Sequence, residues 1–404
     1  GGFTYTISGD CYVTGNVQVG NSGSTTNNLN GDKLYVGGNL NSVGTGPIFT
    51  GTTEIVLNGT GTWSTVYLRN AITINTTGTI TLGTLVVYSS SINTLKHVAG
   101  TVVTTSSTLR INSGTPSIDM ASITFNNFEI SNGATVTLLS DLNISGTLNI
   151  GVSVGSTSSV IINGFTINTA GITFGTTGSS TGTTNIALNG TGTWNHTNTG
   201  VIRNNLTINT SGTLTLGSSV RFDTGALTYT AGTVITTGST LTIATSTTLN
   251  TAGINWNNVT ISTVNTITNN SLLTIGGTLT YASGSVVTFA GTHGWTVGHF
   301  VIATSGSISH ILKDSLTYTV TDSFTSISTT NAAKDTLASS SGTVKAILTL
   351  NFGATQNVAY TNATRIDSSG GQTIYSFNGT LTDSINWQVL NASLIGSGVS
   401  TFVN

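Results

Sequence analysis

The chain has 404 residues, of which 5% are charged, 50 are Gly and 2 are Pro; an ordinary soluble protein is about 25% charged. A net charge of −2 supplies no basic field for nucleic acid. Cys11, the single cysteine, excludes an intrachain disulfide framework, and no apolar run reaches the roughly 18 residues of a membrane helix.

Disorder is excluded because apolar residues recur regularly while charge and Pro are scarce. Helix is excluded because Thr, Asn, Ser and Gly are poor helix formers and no period of 3.6 is sustained. Segments such as TITLG, TLTLG and TLTYA instead alternate apolar residues with Thr, the strand period of two. The chain is therefore all-β.

In chain order, the opening GGFTYTISGD lacks the basic start and apolar core of a secretory signal, so the chain reads as a mature or excised segment. CYVTGNVQVG at residues 11–20 matches LNISGTLNIG at 142–151 and LTIGGTLTYA at 273–282, an offset of 131 residues each time. LNGTGTW stands at 57–63 and again at 188–194, also 131 apart. NTTGTITLG and NTSGTLTLG (75–83, 209–217) and AGTVVTTSSTLRI and AGTVITTGSTLTI (99–111, 231–243) repeat with slips of a few residues. Strands keep register while loops vary. Residues 1–20 thus read as the end of a partial copy, 21–151 as one super-repeat copy, 152–282 as a second, and 283–404 as a different C-terminal region.

Many short strands inside a long repeat, separated by turn residues, point to units that must stack to bury their apolar faces. The expected fold is a parallel β-helix, a β-solenoid with about three strands and about 20–25 residues per coil. Coils spaced by about 4.8 Å make a rod on the order of 80–95 Å long. Asn and Thr suit ladders between coils, where stacked like charges repel. Charge returns after residue 312 with Lys313, Asp314, Asp322, Lys334, Asp335, Lys345, Arg365, Asp367 and Asp383. The strand alternation persists there, so 283–404 reads as β coils and a cap.

The segments ATRIDSSGGQTIYSFNGTLTDSINW (363–387) and LASSSGTVKAILTLNFGATQNVAY before it resemble the C-terminal coils of β-strand-repeat proteins. These are the β-helical surface proteins of phage fibres, virions and microbial extracellular fibres. The resemblance implies an extracellular, cell-surface or virion-surface fibre and carries over no catalytic residue.

The search for chemistry gives little. The closest acids of the first full copy are Asp119 and Glu129, a candidate carboxylate pair set against the reading of solvated surface acids. His293 and His299 flank Trp295 without an evident third metal ligand. No nucleophile elbow or phosphate loop occurs. Trp63 and Trp194 are candidate sugar-stacking platforms, although repeated aromatics more often fill a core. Of twelve N-x-[ST] sequons, Asn58, Asn75, Asn189, Asn195, Asn205 and Asn209 are candidate glycosylation sites.

These features lead to a non-enzymatic structural subunit of an extracellular or virion-surface fibre or filament, serving as scaffold or adhesin. Its partners are itself, as a trimeric fibre or end-to-end filament, and cell-surface glycans, with no nucleic acid and no membrane insertion. No cofactor or metal is expected. The rivals are a tailspike-like polysaccharide-binding or -degrading protein, and a Thr-array or Trp-based module binding ice or glycan.

Overall fold

The computed structural model describes residues 4–390 except 21–26, 44–48, 65–66, 91–92, 153–156, 163, 177, 183–184, 197–199, 263–264, 283, 285, 304–307 and 328–333. The described residues form strands, turns and bends without helix. The chain divides into two compact units, Gly1–Leu241 and Thr242–Asn404, and each is a parallel β-solenoid.

In the first unit the chain passes back and forth between two sheets. The first sheet includes Thr108–Ile111, Asn127–Ile130, Leu142–Ile150, Ile167–Phe174 and Asn205–Leu216. The second includes Ile72–Leu82, Thr94–Val103, Ser117–Asp119, Thr135–Leu138 and Ser158–Ile162. Each strand pairs in parallel with the strand one coil further on, as Leu206–Ile208 does with Leu227–Tyr229. A coil crosses both sheets. Where a bend divides one strand in two, as between Thr124–Phe125 and Asn127–Ile130, the coil carries three strands. A short extra sheet of Thr4–Ile7, Asn27–Gly31 and Phe49–Thr50 accompanies the first coils.

The period of two decides which side chains go inside. Along Asn205–Leu216, Leu206, Ile208, Leu214 and Leu216 are buried while Asn205 and Asn209 are exposed. Identical register then stacks these residues into columns. Leu142, Ile167, Ile186, Leu206 and Leu227 lie over one another in successive coils, all essentially inaccessible. Each such side chain contributes roughly 1.5–3 kcal/mol of burial.

Outward polar side chains are tied to the next coil. Asn39 N–H donates to Asn16 Oδ1 (2.9 Å), and Thr62 N–H donates to Asn39 Oδ1 (2.7 Å). Thr147 N–H donates to Asn127 Oδ1 (3.0 Å), and Asn168 Nδ2 to Asn143 Oδ1 (3.0 Å). The ladders expected from composition are present, and they satisfy polar groups at bends where the backbone ladder is interrupted. Coil length is not fixed: Thr76 Oγ1 reaches the Gly59 carbonyl 17 residues back, whereas Thr166 N–H reaches Asp141 Oδ1 25 residues back.

The repeated segments occupy the two sheets alternately. Trp63 lies in the second sheet, between Leu40 and Leu82 of neighbouring coils. Trp194 lies in the first, between Ile172 and Leu216. The NT[TS]G and AGTV segments likewise change sheet, from Ile72–Leu82 and Thr94–Val103 to Asn205–Leu216 and Gly225–Ile235. One 131-residue copy therefore spans an odd number of half-turns. A repeated segment returns half a coil out of phase.

The second unit has the same construction. One sheet runs through Thr247–Asn250, Asn265–Asn269, Val287–Gly291, Ser309–Leu312, Asp335–Ser339 and Thr361–Thr364. The other runs through Asn258–Ile261, Leu273–Tyr281, Trp295–Ile302, Thr317–Ile327 and Ala346–Leu350. Aromatic rings pack against one another in its core. Trp295 meets Phe300 at 5.0 Å and Tyr318 at 5.2 Å between ring centres, and Phe300 stacks on Phe324 at 5.1 Å. The described residues of 283–390 thus form further β coils, as their alternation indicates.

Candidate functional site

The rings of Trp63 and Trp194 are wholly inaccessible. Inward stacking between aliphatic neighbours makes them core side chains, and neither has a face to offer a sugar. Trp194 Nε1–H donates to His196 Nε2 (2.8 Å), and His196 Nδ1 bonds the Gly200 carbonyl (2.8 Å). Burial pushes the His196 imidazole down to about 4, so it is a neutral, fully bonded core residue.

Asp119 and Glu129 stand on different sheets. Glu129 is instead neutralised by Arg110 on the adjacent coil, with Nη2 to Oε2 at 3.0 Å. The two acids do not form a catalytic pair. Arg203, Arg221 and Asp223, scattered in sequence, do come together. Arg221 Nε lies 2.7 Å from Asp223 Oδ1, and Arg203 Nε lies 3.8 Å from Oδ2. Buried Asp223 is thereby charge-compensated.

The histidines take separate partners. His293 Nδ1 contacts Thr292 Oγ1 (2.9 Å), and His299 Nδ1 contacts Ser323 Oγ (2.8 Å). Among the described residues no three His, Cys, Asp or Glu side chains come together as metal ligands. His97 Nε2 bonds the Gly100 carbonyl (3.0 Å). Its repeat counterpart Tyr229 bonds the Gly232 carbonyl through its hydroxyl (2.6 Å). Two chemically different side chains serve one corner, so His97 there is structural.

Of the sequon asparagines, Asn58, Asn75, Asn189, Asn205 and Asn209 are exposed and Asn195 is half-buried. Asn205 Oδ1 is engaged by Ala226 N–H (2.9 Å). One outward threonine column of the second unit, Thr274–Thr296–Thr319–Thr349, runs through four successive coils, while others are interrupted. On the second unit, Thr278 is followed one coil on by His299 and Thr280 by Val301.

Sequence reasoning passed over a different place, the outer face of the second sheet in the first coils. Three columns run side by side there: Asp10–Lys33–Glu54, Tyr12–Tyr35 ending on the buried Val56, and Thr14–Gly37–Asn58. Tyr12 and Tyr35 stack face to face, with ring centres 4.3 Å apart and planes 8° from parallel. Tyr12 is 65% exposed. A groove of about 210 Å³ beside them is lined by Tyr12, Val13, Thr14, Tyr35, Gly37 and Asn58. Gly37 brings no side chain, so the groove floor lies on the backbone. Desolvation, and then the nearby Asp10 carboxylate, pushes the Tyr35 phenol above its ordinary value. Lys33 Nζ pairs with Glu54 Oε2 at 3.0 Å, while Asp10 and Asp32 are exposed. Beside the tyrosine column the acids Asp10, Asp32 and Glu54 thus outnumber the bases Lys33 and Lys96 by one. A signal did exist in the sequence: 131 residues on from Tyr12 the same position is Asn143, a ladder residue.

No protein-family model, characterised protein or solved structure matches the chain. The reading of its function rests on its own geometry.

Proposed function

We propose that the protein is a non-enzymatic structural subunit of a fibre or filament displayed on a cell or virion surface, extended by association with further copies of itself. The carrying observation is how the polar side chains are used. Outward Asn, Thr and Ser bond the neighbouring coil, and half of the few charged side chains are paired with one another. Side chains spent on holding coil to coil build a scaffold.

Self-association has a physical motive. Neutral, charge-poor β faces repel one another weakly and leave contact between copies unopposed. Negative-stain electron microscopy of concentrated purified protein tests the reading. Filaments or bundled fibres are expected, and dispersed single particles at every concentration overturn it.

A further inference from the structure

The Tyr12–Tyr35 pair departs from the Asn and Thr ladders that tie many outward strand positions of the first unit to the next coil, as Asn143 and Asn168 are tied. Here two aromatic rings stand outside, and the column beside them opens into the groove over Gly37. An exposed aromatic stack in place of a coil-to-coil ladder marks a position where something besides stability can be served. Exposed tyrosine offers an apolar body with a polar tip, suited to a partner that is itself both.

The surroundings narrow the partner. Asn58 at one end supplies an amide, which both donates and accepts, and Thr14 at the other supplies a hydroxyl. Neutral donors and acceptors beside an aromatic wall match a sugar ring, with its apolar C–H faces and equatorial hydroxyls. Asp10, Asp32 and the paired Glu54 outnumber Lys33 and Lys96 by one, so an anionic polymer is disfavoured. We propose that this groove binds a hexose unit of a neutral polysaccharide, packed against Tyr12 and Tyr35 and hydrogen-bonded by Asn58 and Thr14. The site gives the scaffold a carbohydrate-recognition function at a location unrelated to the buried tryptophans. It stands independently of whether copies assemble into filaments.

Affinity electrophoresis of the whole protein tests it, in native gels cast with neutral galactomannan, xyloglucan or dextran, or with acidic alginate. Retardation by at least one neutral polymer and none by alginate is expected. Tyr12→Ala and Asn58→Ala each weaken it by about tenfold, a loss of roughly 1.4 kcal/mol, while Tyr12→Phe retains it. Circular dichroism melts confirm that these exposed-residue variants stay folded. Migration unchanged by all three neutral polymers overturns the proposal. Retardation that persists undiminished in Tyr12→Ala, or that alginate causes equally, overturns it as well.

Discussion

His310 sits in the second unit with no exposed surface and, among the described residues, no hydrogen-bond partner for either ring nitrogen, 4.8 Å from the ring of Tyr281. Burial alone pushes its imidazole down to about 4, well below the ordinary 6.5 of an exposed histidine. The neutral form is the folded one, so His310 contributes stability that is complete above about pH 6.5. That contribution is lost as pH falls from there through about 4, up to roughly 3 kcal/mol. Urea unfolding followed across this range should show the decline. His310→Phe should make it shallower, leaving the shares due to His196 and to the carboxylates held below their ordinary values, Glu54 and Asp314. An unchanged slope in that variant would refute the assignment. Residue-scale reading of the sequence went as far as polarity allows. Repeated Trp63 and Trp194 could be read as core, but nothing local reveals that His310 faces inward and His299 outward. That depends on the phase of each strand against its neighbours.

The corner shared by the two copies belongs to the scale of elements. Thr76 Oγ1 donates to the Gly59 carbonyl (2.8 Å) and accepts from Gly78 N–H (2.9 Å). Thr210 repeats this with the Gly190 carbonyl (2.8 Å) and Gly212 N–H (3.0 Å). Above each, Gly100 and Gly232 hold φ of +104° and +110°, and a Cβ on either would run into that threonine. Thr210→Val leaves a carbonyl and an amide without their partner and should cost about 1–3 kcal/mol. Thr76→Val should cost the same. Gly232→Ala should cost more than Gly238→Ala, where φ is also positive but nothing lies within 4 Å of the added carbon. Denaturant midpoints of the four variants check both comparisons. The strands and their inward faces were legible because period two and turn residues are local signals. The sheet each strand joins was not, because it follows from the summed lengths of every turn before it.

At the scale of the whole molecule, stability comes from columns of apolar side chains and from ladders of neutral hydrogen bonds, not from charge. The ion pairs are mostly at the surface, such as Lys33–Glu54 and Lys345–Asp383, where each is worth at most about 1 kcal/mol. Raising salt from low to physiological strength and beyond should therefore leave the melting temperature nearly unchanged; a steep fall would show that charge matters more than the packing indicates. The fold class was legible from composition and repetition. The tyrosine groove was not, because its residues come from three successive coils and only stacking brings them side by side.

The half-coil phase of the 131-residue copy has a consequence for how such a chain can lengthen. A duplicated block joins without a seam, since its two ends carry the same strand sequence. Everything beyond the insertion, however, is turned to look the opposite way. Growth by a single block reverses the side on which later features are shown, and growth by two restores it. Parity, and not length alone, decides which way a distant binding surface points.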